Sequence, residues 1–230
     1  MWTVYKILRI WEVWDTLIVR NFIMIYIISG SPRGGKTTLA KKLSLRLSIP
    51  YFSTDYLRLM LIPYSSPWVE RDTHFPFEKM CDASGIASLY RDYSGHDLLD
   101  ADIVESDFLW TGIDTFISFL LQTWQDYILE WSHFLPRLVS KYKDEALIRI
   151  VYLTKTDEEK IFDGLVNNRG NNDWIADNIH DDSTLSLAAN WLAEYGKYFE
   201  TESAKYWLTS FSTEDDFSET LESVLDTLIE

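Results

Sequence analysis

The sequence predicts a three-layer α/β domain built on a mostly parallel sheet. Three observations carry that expectation. FIMIYII at 22–28 is a continuous apolar run rich in β-branched residues, as in a strand covered on both faces. A glycine-rich turn and an amphipathic helix follow it directly. From there to the C-terminus, strand-like and helix-like periods alternate.

The elements read in order as follows. Leu39, Leu43 and Leu47 recur at helical spacing beside Lys41, Lys42 and Arg46, which predicts a helix over 36–47, closed by Pro50. IPYFSTD at 49–55 reads as a short second strand ending at Asp55. The stretch 63–110 is less regular and suits an insertion that meets a substrate. Ile113, Phe116, Ile117, Leu120 and Trp124 mark a helix, and DYILEWS at 126–132 a third strand with Glu130 near its end. ALIRIVYL at 146–153 is a fourth strand. Thr156 and Glu159 form a capping-box pattern that opens a helix carrying Ile161, Leu165 and Val166. NNRGNND at 167–173 ends it. Trp191, Tyr195 and Phe199 stripe a further helix, WLTSF at 207–211 is a last strand, and Phe217, Leu221, Val224, Leu225 and Leu228 give a C-terminal helix.

Composition limits the function classes. With 21 Lys and Arg against 36 Asp and Glu, the formal charge is −15, which argues against a nucleic-acid partner because counterion release needs clustered cations. The single cysteine, Cys81, allows no intrachain disulfide, and a cytoplasmic setting is the expectation. The apolar start, MWTVYKILRIWEVWDTLIVR, is broken by Arg9, Glu12, Asp15 and Arg20, so neither a signal peptide nor a membrane span is expected. The expected organisation is an N-terminal extension, 1–20, and a domain, 21–230, with an insertion at about 63–110 and a lid at about 167–186.

Gly30-Ser-Pro-Arg-Gly-Gly-Lys36-Thr37 satisfies the spacing G-x-x-x-x-G-K-[ST] of a phosphate-binding loop. Glycines let successive N–H groups point inward at phosphate oxygens. The following helix turns its positive end toward the same anion. Lys36 can reach the β- and γ-phosphates, and the Thr37 hydroxyl can sit on Mg²⁺. Gly30, Ser31, Arg33, Gly34, Gly35, Lys36, Thr37 and Thr38 are the candidate nucleotide contacts, with Arg33 on a phosphate or facing solvent.

GSPRGGKTTLAKKLS and IPYFSTDYLR resemble the P-loop small-molecule kinases of the shikimate, gluconate and adenylate kinase type, and the 2-phosphoglycerate kinase-like proteins among them. The likeness runs from about residue 21 to 229 and is strongest at 30–37. It implies a P-loop NTPase fold with a five-stranded sheet in order 2-3-1-4-5. It also implies Mg²⁺-dependent transfer of the ATP γ-phosphate to a small hydroxylated acceptor, with ATP and that acceptor as partners. Asp55 falls where the resemblance puts the acceptor-side carboxylate, and an N-cap for a helix at 56–62 is the alternative role. Glu130 matches the acid that binds Mg²⁺ or acts as base, with Trp131 where the family favours a small residue. Arg169 falls at the lid arginine. Lys36, Asp55, Glu130 and Arg169 are thus the catalytic candidates, and Thr37 and Glu130 the metal candidates.

Arg58, Arg71, Arg91 and Arg137 are candidate anchors for an anionic acceptor. The aromatics of 51–77, Tyr51, Phe52, Tyr64, Trp68, Phe75 and Phe77, suit a base-bearing one. The acidic run 97–107 reads as a solvated face. His74, His96, His133 and His180 lack ligand spacing for zinc. The Trp191, Tyr195 and Phe199 stripe reads as core. A nucleotide-binding regulatory module without small-molecule chemistry is the competing function.

Overall fold

Ile25–Gly30 form β1, buried along its whole length, in a computed structural model that describes residues 23–65, 73–171 and 173–229. The expectations for 1–20, Trp68 and Arg71 lie outside the described residues. β1 begins three residues later than the apolar run suggests and continues into the glycine-rich turn. The first helix, α1, spans Lys36–Leu47, and Ser48 ends it in the left-handed region, two residues before Pro50. β2 is only Tyr51–Ser53, and α2 follows at Thr54–Leu61. Ser53 caps α2 by accepting from the Asp55 N–H, so Asp55 lies in the first turn and is not the N-cap.

The described residues of the stretch expected to be irregular are largely helical. A 3₁₀ turn at Ile62–Tyr64 is followed by α3 (Pro76–Ser84), α4 (Ile86–Asp92) and α5 (Gly95–Gln122). Ser94 and Asp97 close a reciprocal capping box that starts α5 inside the acidic run. The expected insertion boundary near 110 thus falls in mid-helix, and Trp124 lies beyond the helix end. β3 is Tyr127–Glu130, α6 the short Pro136–Val139, and β4 Ile148–Thr154. Asp157, not Thr156, caps α7 (Glu158–Asn167), accepting from the Lys160 N–H. α8 (Asp182–Lys205) starts within the expected lid, and β5 (Thr209–Ser212) and α9 (Phe217–Ile229) complete the chain.

All strand pairs are parallel and the order is β2-β3-β1-β4-β5. Side chains alternate across β1. Tyr26 and Ile28 pack under Leu39 and Leu43 of α1 and Val224 and Leu225 of α9. Ile25 and Ile27 pack on the other face against Leu109, Ile113 and Ile117 of α5. A third cluster, centred on Tyr152, Tyr195 and Phe199, seats α8, so the aromatic stripe is core. Among the described residues no helix is long and apolar enough to cross a membrane.

This architecture fixes the place of the site. Ile28 pairs with Glu130, Glu130 with Ser53, and Gly30 with Leu153, so the C-terminal strand ends are level. The chain leaves β1 for one side of the sheet and β3 for the other. The crevice between those two strand ends is where parallel α/β sheets accept ligands.

Candidate active site

Gly30 leaves β1 at φ 124, and Gly35 enters α1 at φ 96. Between them the chain curls back on itself, with the Gly34 N–H bonded to the Ser31 carbonyl at 3.1 Å. The loop is anchored to its neighbours. Ser31 N–H donates to Leu153 O (3.0 Å), Lys155 N–H to Ser31 Oγ (3.2 Å), and the Thr213 hydroxyl to Gly34 O (3.1 Å). The Ser31 side chain is thus spent on β4 and does not line the cleft. No side chain caps α1 and no acid sits in its first turn. Its leading N–H groups therefore keep their positive end for an anion.

A cleft of about 910 Å³ opens over this loop, lined there by Arg33, Gly35, Lys36, Thr37 and Thr38. Lys36 is buried and folded back, Nζ donating to Ser31 O (2.7 Å) and Gly30 O (3.1 Å), with Nζ 5.7 Å from the Trp131 ring centre. Burial pushes its ammonium down to about 8, opposed by the Glu130 and Asp102 carboxylates. Arg33, at φ 63, is ion-paired with Asp173, which ties the loop to the segment after α7.

Thr37 and Glu130 meet across the β1–β3 crevice. The hydroxyl lies 3.3 and 3.4 Å from the two carboxylate oxygens. Burial pushes the Glu130 carboxyl up, while Lys36 and hydroxyls from Ser53 and Thr37 hold it down. One hydroxyl and one carboxylate form a small all-oxygen donor set that suits Mg²⁺, which keeps waters and phosphate oxygens for its other positions. Among the described residues no group of three or more His, Cys, Asp or Glu could hold a metal by itself.

Asp55 and Arg58, one turn apart on α2, line the far side of the cleft. Burial raises the Asp55 carboxyl, and Arg58 counters. Arg58 donates from Nε to Glu105 and from an Nη to Glu78, each at 2.7 Å. Arg137 is paired with Asp107 and Arg91 is exposed, and neither lines the cleft. Phe77 lines the cleft, Phe75 is core and Tyr64 is exposed.

One candidate lies apart from the cleft, and one expectation needs correction. The guanidinium of Arg169 binds Asp182 at 2.8 Å and does not line the cleft. The acidic run is not all solvated: Asp97, Asp100 and Asp107 are exposed, but Glu105 is fully buried and Asp102 lines the cleft. Their spacing placed them there. Asp102 and Glu105 stand four and seven residues after Leu98 and share a helix face with it and Leu109.

Further cleft residues carried no motif. Lys155, just beyond β4, lines the cleft near Arg33 and Glu214, and burial lowers its ammonium. Its register could have found it, since Leu153 pairs with Gly30. His133 is buried with Nδ1 2.9 Å from the Thr54 hydroxyl, and burial plus the Arg58 and Lys36 charges push it down to about 3. It is neutral at pH 7 and no general base. Trp174 and Phe217 close the loop side of the cleft.

A five-stranded parallel sheet in this order, with a phosphate loop between β1 and α1, defines a P-loop NTPase fold. No family model and no curated protein matches the sequence. Among solved structures, shikimate kinase from Bacteroides thetaiotaomicron is 14% identical over 89% of this chain and 96% of its own, with a TM-score of 0.46. Shikimate kinase from Acinetobacter baumannii, in complex with shikimate, is 12% identical over 91% and 92%, at 0.45. Deoxyadenosine kinase from M. mycoides with bound dATP is 13% identical over 90% and 100%, also at 0.45.

Proposed function

We propose that the protein is a phosphotransferase that moves the γ-phosphate of ATP to a hydroxyl of a small molecule, in a cytoplasmic setting. The observation that carries this reading is the convergence, in one cleft, of an uncapped phosphate loop with an acceptor-side carboxylate, Asp55. The loop N–H groups, Lys36, Arg33 and Lys155 hold the phosphate chain. Thr37 and Glu130 hold Mg²⁺, which when bound neutralises phosphate charge. Asp55 orients the acceptor hydroxyl and takes its proton as the new O–P bond forms and the bond to ADP breaks. Burial raises the Asp55 carboxyl, which makes it a stronger base than a solvated aspartate. Acceptor-dependent ADP release tests the reading. ATP binding with no acceptor-dependent release across acids, sugars, nucleotides and antibiotics would instead support the regulatory module. The outward pairing of Arg169 with Asp182 is the feature that favours that second reading.

Lys36 gives a pH prediction. Bound phosphate favours its ammonium, whereas the empty cleft lowers it to about 8. ATP binding therefore takes up a proton at alkaline pH. Affinity is expected to hold below pH 8 and to fall above it, with a limiting slope of about tenfold per pH unit. Calorimetric titrations at pH 7 and pH 9 read this directly, and equal affinities would contradict it.

Arg169→Ala is expected to change kcat and KM by less than about fivefold, the scale of a lost exposed ion pair. A hundredfold fall in kcat with KM unchanged would show that the guanidinium leaves Asp182 and reaches the transferred group.

A further inference from the structure

The half of the cleft beyond the loop has an unusual charge. Asp55, Glu78 and Asp102 line it and Glu105 lies fully buried under it, and among the described residues Arg58 is the guanidinium placed among these four carboxylates. Arg58 is bound by both Glu78 and Glu105. Among the described residues no cation is ion-paired with Asp102. The Tyr195 hydroxyl stands close to it, fully buried and without a hydrogen bond of good geometry.

An independent feature lies beside it. Trp191 lines the cleft, is only 2% exposed, and its indole N–H has no partner. Tyr90, stacked at a tilt 5.5 Å from Trp191, has a second buried hydroxyl without one. Buried donors are ordinarily satisfied, and the orphan indole N–H of a cleft-wall residue marks a place where something else supplies an oxygen. Phe77 and Trp131 line the same space with aromatic faces.

We propose that the acceptor is a hydroxyl-bearing amine, bound with its ammonium on Asp102 and its reacting hydroxyl at Asp55. This deepens the phosphotransferase reading and rests on it. The ammonium gives Asp102 a direct ion-pair partner, and aromatic faces add cation–π attraction. A neighbouring hydroxyl oxygen of the acceptor accepts from the Trp191 indole. A carboxylate or phosphate in the same place would face Asp55 and Asp102, beside an Arg58 guanidinium already held twice. Burial of Asp102 raises its carboxyl well above the ordinary range, so an arriving cation is rewarded with restored ionisation.

The test uses the full chain with saturating Mg²⁺ and ATP, following ADP release. The probes are D-glucosamine and kanamycin as amines, D-glucose as neutral, and D-gluconate, D-glycerate and shikimate as carboxylates. At least one amine should release ADP above the acceptor-free rate, with kcat/KM about tenfold or more above every carboxylate. Asp102→Asn should raise KM for that amine about tenfold while KM for ATP moves less than about threefold, and Asp102→Glu should recover part of the loss. The proposal is overturned if a carboxylate is the best acceptor, if neither amine is turned over although calorimetry shows ATP bound, or if Asp102→Asn leaves the amine KM unchanged. Absence of ATP binding would overturn the phosphotransferase reading itself, and the acceptor assignment with it.

Discussion

Lys36→Met is expected to lower kcat by about 10²–10³-fold or more while the protein stays folded, because removing one preorganised donor at developing charge has that effect. The fold prediction follows from burial. The Lys36 ammonium lies inside the loop and is pushed from 10.5 down to about 8. A base depressed in the folded state stabilises fully only above its unfolded value. That stability is lost as pH falls through the folded value, so at neutral pH the charged side chain opposes folding by an amount on the order of 3 kcal/mol. Methionine keeps the volume and removes the charge, at the loss of two hydrogen bonds to loop carbonyls. Its melting temperature at pH 7 should equal or exceed the parent's. A variant that transfers phosphate at the parent rate would end the assignment of this lysine, and one that is unfolded would contradict the burial argument.

Gly30→Ala should be severely destabilising. Gly30 sits at φ 124, where an L side chain is strained, and a Cβ there would overlap the Leu153 carbonyl and lie 2.6 Å from the Leu153 nitrogen. Neither neighbour can move, because Gly30 and Leu153 are register partners in the sheet and Ser31 N–H bonds that same carbonyl. Backbone strain and overpacking together are expected to cost on the order of 4 kcal/mol, enough to unfold much of the population. Gly164→Ala, inside α7 with nothing within 4 Å of the added carbon, is the control. It should be stabilising by about 0.5–1 kcal/mol. Urea midpoints compare the two, and a Gly30→Ala midpoint at the parent value would refute the stated packing.

The parts of this fold that were legible in the sequence are those set by local pattern. β1, its glycine loop and α1 combine an apolar run, a spacing rule and a leucine period within two dozen residues, and α1 begins and ends where that period does. The aromatic stripe of α8 and the apolar face of α9 were readable for the same reason. Caps shifted by a residue or two, because Ser53 and Asp157 compete with Asp55 and Thr156 for the same orphan N–H groups. The helical character of 76–92 was hidden by short helices punctuated by Pro76 and Gly85.

Site residues divided along the same line. Lys36, Thr37 and Asp55 line one cleft, with Glu130 buried beside Thr37, because strand ends bring them level. Arg169 is a cation near a helix end, and only the distant choice of Asp182 as its partner takes it out of the cleft. Asp102 and Glu105 looked like solvated charge because acids usually are. The burial of Glu105 depends on Arg58, 47 residues away in sequence, bonding across from another helix. Long-range pairing of this kind leaves no period to read.

Titration of the full chain with Mg²⁺ and ATP by calorimetry is the most direct test of a nucleotide-gripping loop. One site is expected, with a dissociation constant between about 1 μM and 1 mM and about a hundredfold or more weakening in Lys36→Met. No heat at millimolar ATP, or equal binding by the Lys36→Met variant, would contradict it.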